Sequence, residues 1–135
     1  MLCDAEGAAG SLSIRNSTVT GNTNTREDES GGVRAASSSI KVSIANSVIA
    51  ENSGAQCEIA LALAVNAGNA SSDSSCGFAH ENVRAGLGGL SDNRGAVPIG
   101  PNGEMGNVLT MAIDTFSPLW DAGDFGVCEG MDGRG

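Results

Sequence analysis

The sequence predicts an all-β chain, a right-handed parallel β-helix (a solenoid) whose stacked coils end in an irregular C-terminal cap. Three observations lead there. A ten-residue motif recurs without a gap, short apolar–polar alternations stand where a helical period would be, and bulk for a deep globular core is scarce. Of 135 residues 20 are Gly, aromatics make up 3%, and Tyr is absent. Rings supply much of the buried area in ordinary cores, so a chain this poor in them suits thin, repeated backbone layers. Its Ser, Thr, Asn and Gly favour short strands and tight turns.

The repeat aligns Ser13–Asn22 with Ser43–Asn52 at a constant offset of 44 − 14 = 30 residues. Internal repetition of this length is the mark of solenoids and related arrays. In each copy apolar residues alternate at period 2, Leu12 and Ile14 in the first, Val42 and Ile44 in the second, which predicts a strand. Asn16 and Asn46 interrupt that strand. A second short one follows in each copy, Ser17 to Thr20 and Ser47 to Ala50, closed by the turn chemistry of Asn22-Thr23 and Asn52-Ser53. Gly31 to Ala35 adds a third strand between the copies. Two or three strands per repeat with no helix between them point to coils stacked at the strand spacing of about 4.8 Å. Ile14 is then expected over Ile44, and Val19 over Val48 or Ile49. Asn16 would lie over Asn46 at a corner, either as an asparagine ladder of side-chain amides or as two ordinary turn asparagines.

Thr23 to Ser30 has no apolar residue and reads as an exposed loop. Its Glu27, Asp28 and Glu29 are expected to be a solvated charge run rather than a cation site. The apolar stretch Ile59 to Val65 is expected as a buried strand. From Ser71 the chain becomes irregular, with Val108 to Ile113 as the last credible strand. One domain is expected, with coils over 1–76 and the cap over 77–135. The cap holds Phe78, Phe116, Trp120 and Phe125, whose expected job is to plug the end of the helix. The first ten residues hold too few large apolar groups to cover the other end. Leu12 and Ile14 are therefore expected to present an open edge, and upstream coils of a longer protein are the expected partner.

Four cysteines occur, none in a C-x-x-C pair, and His80 is not at zinc-ligand spacing from any of them. Cys57 and Cys76, 76 − 57 = 19 residues apart, flank the apolar stretch and are expected to form a disulfide, with Cys3 and Cys128 free. An even count in a loop-rich chain fits an oxidising compartment, although Met1-Leu2-Cys3-Asp4 carries no basic or apolar leader segment. The net charge of −9, from 16 acidic and 7 basic residues, repels phosphate backbones and anionic membrane surfaces, so nucleic acid and membrane insertion are not expected.

Candidate chemistry is thin. Asp121 and Asp124, with Asp92, Asn93 and Asp132 as helpers, form the one candidate cation site, for calcium. Capping of turns is the favoured role of those carboxylates, and no other cofactor is expected. A polysaccharide lyase would need a base and a charge stabiliser on one outer face, for which Arg15, Arg34 and Glu51 are the available groups. His80 has no nucleophile partner at a known spacing. Asn16-Ser17-Thr18 and Asn69-Ala70-Ser71 match the glycosylation sequon.

Several segments, taken in order, resemble one family. Ser71 to Phe78, Leu87 to Gly95, Val108 to Ala112, Ser117 to Asp124, and Cys128 with Asp132 to Gly135 are similar to the closing segments of bacterial β-helix surface proteins of the choice-of-anchor Q or CSLREA type, grouped with polymorphic outer-membrane proteins. The repeats resemble that family's coils. The resemblance spans roughly residues 11 to 135; Ala96 to Met105 departs from it as an insertion, and Trp120 stands where a smaller residue is usual. It implies the C-terminal part of a secreted or cell-surface β-helix protein, and with the scarcity of catalytic groups the expected function is a non-catalytic structural or adhesive module, with surface glycans or other surface proteins as expected partners. The alternative is a piece of a pectate-lyase-like enzyme with its site in upstream coils, since right-handed β-helices also carry enzymes.

Overall fold

The computed structural model describes residues 9–26, 29–98 and 105–127. Among them there is no α-helix; a 3₁₀ turn at Phe125–Val127 is the one helical element. The chain runs first through β1 (Gly10–Arg15) and β2 (Thr18–Thr20). A second pass follows, β3 (Val33–Ala35), β4 (Ile40–Ala45) and β5 (Val48–Ala50). The third is β6 (Cys57–Ile59), β7 (Val65–Ala67) and β8 (Ala70–Ser71).

Each strand pairs in parallel with its counterpart in the next pass. The sheets are β1-β4-β7, β2-β5-β8 and β3-β6. The first two passes keep the expected register, with Ile14 on Ile44, Leu12 on Val42 and Val19 on Ile49. Parallel strands this short need crossovers yet have no helix in them, so the chain turns sharply at corners instead. Two corners recur in register. Asn16 and Asn46 adopt left-handed backbone at φ 46° and 48°, and Gly68 follows them at 61°. Gly21 and Glu51 do the same at 68° and 59°. Left-handed backbone suits Gly and Asn far better than other residues, which explains where those residues fall.

The core is aliphatic. Val33, Ile40, Val42, Ile44 and Ile49 are fully buried, and Ile14, Cys57, Cys76 and Phe78 complete the cluster. Ile14 is buried at 6% exposure, contrary to the expected open end, while Leu12 and Val19 are only partly covered. Cys57 and Cys76 form a disulfide with a Cα separation of 4.9 Å, tying β6 to the turn that follows β8. Cys3 and Cys128 lie outside the described residues.

Three expectations are corrected. Ile59 to Val65 is not one buried strand: β6 ends at Ile59, β7 begins at Val65, and Ala60, Leu61 and Ala62 between them are exposed. Alanine and leucine here form a corner, because the second-pass partners on either side, Ala35 and Val42, belong to different sheets; they accept from the Ala60 and Ala64 N–H groups. The tail is less irregular than expected. β9 (Leu87–Pro98) and β10 (Met105–Ile113) form an antiparallel hairpin, with register shifts at two places. The aromatic plug is one ring: Phe78 is buried, whereas Phe116 and Phe125 are each 93% exposed and Trp120 58%. Beyond the third pass, Ser71 donates its N–H to the His80 carbonyl and accepts from the Val83 N–H.

Ile44→Ala should cost about 2–5 kcal/mol in urea unfolding, as a cavity in a close-packed layer does, whereas Leu61→Ala on the exposed corner should stay within about 0.5 kcal/mol. Replacing both Cys57 and Cys76 with Ser should lower stability by about 3 kcal/mol through the lost loop closure, read from the same denaturation curves.

Candidate functional site

The polar side chains of the passes are ordered by one requirement, that backbone N–H groups at corners find acceptors where strand pairing stops. The acceptor comes from the next pass. Ser47 Oγ takes the Ser17 N–H at 3.3 Å and Asn69 Oδ1 takes the Ser47 N–H at 3.0 Å. Asn52 Oδ1 takes both the backbone and the side-chain N–H of Asn22, at 3.0 and 2.8 Å. Ser53 serves Asn24, Ser72 serves Glu51, Asp73 serves Gln56 and Ser75 serves Cys57.

Asn22 and Asn52 bond along the stack, whereas Asn16 and Asn46, for which the sequence leaves a ladder and ordinary turn roles both open, stand at a turn. Asn16 and Asn46 stand in register at the left-handed corner, and the Asn46 amide is turned to the C-terminal tail. Its Nδ2 donates to the Asp124 carbonyl at 3.1 Å and its Oδ1 accepts from the Asp124 N–H at 2.8 Å. Gly68 lets the tail lie there, since a Cβ at that position would run into the Asn46 amide and the Asp124 nitrogen.

That contact also locates the candidate cation ligands. The Asp124 carboxylate accepts the Gly126 N–H at 2.8 Å, capping the 3₁₀ turn, and Asp121 is an exposed residue with left-handed backbone. Among the described residues no three His, Cys, Asp or Glu side chains converge as metal ligands; Asp132, Glu27 and Asp28 lie outside those residues. Of the two sequons, Asn16 is exposed, whereas Asn69 is 1% exposed and its amide donates to the Ile44 carbonyl and to Asn66.

The charged groups suggested for lyase chemistry are not brought together. Arg15 ends β1, in the sheet of β1, β4 and β7, while Arg34 lies in the sheet of β3 and β6. Arg34 is committed to Glu58, its register partner, at 2.7 Å, and stands 3.9 Å from Glu29. Glu29 also takes Arg26 at 2.9 Å. Glu29 and Arg34 edge a cleft of about 310 Å³ with Asn22, Thr23, Asn24, Ser30 and Gly31. The Arg26 hydrogen bond holds the Glu29 carboxyl below its ordinary 4.5. Sequence reasoning missed the Arg34–Glu58 pair, because it crosses 24 residues where the motif repeat has an offset of 30.

No helix among the described residues is long and apolar enough to cross a membrane, and the disulfide points to an oxidising setting.

Asn52→Ala should be destabilising by about 1–3 kcal/mol for each buried group it strands, among them the Val19 carbonyl and the Gln56 side chain that its amide now serves; Asn22→Ala, at an exposed residue, should cost less in the same melt. A depressed native pKa stabilises above the unfolded value and is lost as pH falls through the native one. Wild-type stability should therefore drop faster than that of Glu29→Gln as pH is lowered from 4.5; parallel pH–stability curves would refute the Arg26–Glu29 lock. Comparison of the chain with protein-family models, with curated proteins and with solved structures gave no match.

Proposed function

We propose that the three passes are coils of a right-handed parallel β-helix, and that the chain is the C-terminal part of a secreted or surface protein in which it serves as a non-catalytic structural or adhesive module. The observation that carries this reading is the strand-for-strand parallel register of the first two passes, bonded at the corners by Asn22 and Asn52. Parallel strands joined within one sheet are right-handed in nearly all proteins, which supports the hand. The Cys57–Cys76 disulfide supports a secreted setting. The ordered string of closing segments supports kinship with choice-of-anchor Q or CSLREA-type surface proteins. β1 and β2 each have one partner among the described residues. In the full-length protein, upstream coils would occupy their other edges, for bare strand edges invite pairing.

The test is expression of the full-length gene in a bacterial host, followed by protease shaving of intact cells and thiol alkylation. The module should be accessible from outside, with Cys57 and Cys76 blocked until reduced, and should release no unsaturated product from polygalacturonate with or without calcium. Retention in the cytosol with both thiols free would overturn the surface reading; polygalacturonate cleavage would overturn the non-catalytic one.

A further inference from the structure

The exposed aromatics of the tail have no role in the core, and one of them is part of a built cleft. Arg84, Gly86, Asp114, Phe116, Ser117 and Pro118 enclose about 350 Å³, at the lower end of the size of small-molecule sites. The turn carrying Phe116 is fixed from both sides. The Asp114 N–H donates to the Gly86 carbonyl at 2.9 Å, and the Ser117 N–H donates to the Asp114 carbonyl at 2.9 Å. The Phe116 N–H donates to Asp114 Oδ1 at 3.1 Å. Ser117 Oγ, itself buried, donates to the carbonyl of the fully buried Ala85 at 2.6 Å. The backbone that carries Phe116 is thus fixed while its ring is 93% exposed and available for contact, and aromatic side chains are frequent anchors of recognition sites. Gly86 keeps the cleft floor bare: at φ 60° it favours glycine, and a Cβ there would meet the Asp114 Cβ at 3.2 Å.

The lining combines one aromatic face with polar groups of both kinds, a guanidinium that only donates and a carboxylate that only accepts. A pyranose matches that combination, having a face of C–H bonds for the ring and a rim of hydroxyls that donate and accept. A polyanionic ligand is disfavoured by the net charge of −9. We propose that this cleft binds a neutral hexopyranose unit of a glycan, stacked on Phe116 and hydrogen-bonded at its rim by Arg84 and Asp114. The proposal deepens the adhesive reading given above and rests on it for its biological setting, while the binding itself is a property of this chain.

Saturation-transfer NMR and titration calorimetry with methyl β-glucopyranoside and methyl β-galactopyranoside test it on the full chain. Saturable binding is expected for at least one of the two, with transfer concentrated on protons of a single sugar face. Phe116→Ala should weaken that binding about tenfold and leave the melting temperature unchanged, because the ring is exposed. Arg84→Ala should weaken it while preserving the one-face pattern. No saturable binding of either sugar to the folded wild-type chain, or equal binding by Phe116→Ala, would overturn the assignment. Either result leaves the surface-module reading standing, whereas cytosolic retention of the full-length protein would remove that reading without changing what the sugar titration shows.

Discussion

The structure depends on one constraint: each pass of the chain must supply acceptors for the backbone N–H groups left unpaired at the corners of the pass before it. Strands of two to six residues form few ladder bonds, so a large share of the backbone lies in corners. Ser47, Asn52, Ser53, Asn69, Ser72, Asp73 and Ser75 all face the same way along the stack, each accepting from the preceding pass. The high Ser and Asn content is thus a backbone requirement and not a sign of a loose surface. A buried N–H without a partner costs about as much as a lost hydrogen bond or more, so no pass is satisfied until the next has docked. Stacking of this kind makes neighbouring passes fold together, as in repeat proteins whose stability sits largely in the interfaces between units.

The same dependence creates a problem at the third pass, which has no fourth of equal length to serve it. Local devices take over. Asp73 accepts from Ser75, the Asn66 amide donates to the Gly77 carbonyl, and residues 77–85 lay one bridge at His80 against Ala70. Phe78 then covers the end of the aliphatic cluster. The disulfide fastens the segment that does this, between β6 and the turn leading to Phe78. The Asn46–Asp124 contact fastens the far tail to the same body from a corner.

The periodic part of the fold was legible because period is what a stack imposes on a sequence. The offset of Ile14 to Ile44 became strand register directly, and Cys57 with Cys76 flanked the apolar stretch of the third pass, 19 residues apart. Orientation at a corner was not legible. Each copy carries two asparagines, and alignment alone gives Asn16–Asn46 and Asn22–Asn52 the same standing. The left-handed backbone at Asn16 and Asn46 sets the first pair at the exposed corner, whereas Asn52 is buried and bonds to Asn22. The hairpin escaped for a different reason. Leu109, Met111 and Ile113 alternate along β10, but β9 is interrupted by Gly88, Gly89 and two register shifts that erase its own period. Pairing between such strands is a long-range property with little local trace.

The core of the passes is aliphatic and the aromatics fall in the tail. Strands that stack about 4.8 Å apart leave each pass one layer of side chains, and Ile14 on Ile44 or Val19 on Ile49 fills that layer with branched aliphatics of matched depth. Phe78, in the segment that follows the third pass, is the buried ring among the described residues. The other rings of the described residues lie in the tail and are exposed, so residue type alone did not give their burial. A fold that keeps Phe116, Trp120 and Phe125 outside its core leaves them as contact surface, and a pinned turn with donor and acceptor beside the ring converts one of them from exposed area into a directional site. The division of labour follows from the stack: aliphatic residues hold the passes together and polar residues satisfy the corners, while the exposed rings of the tail belong to neither task.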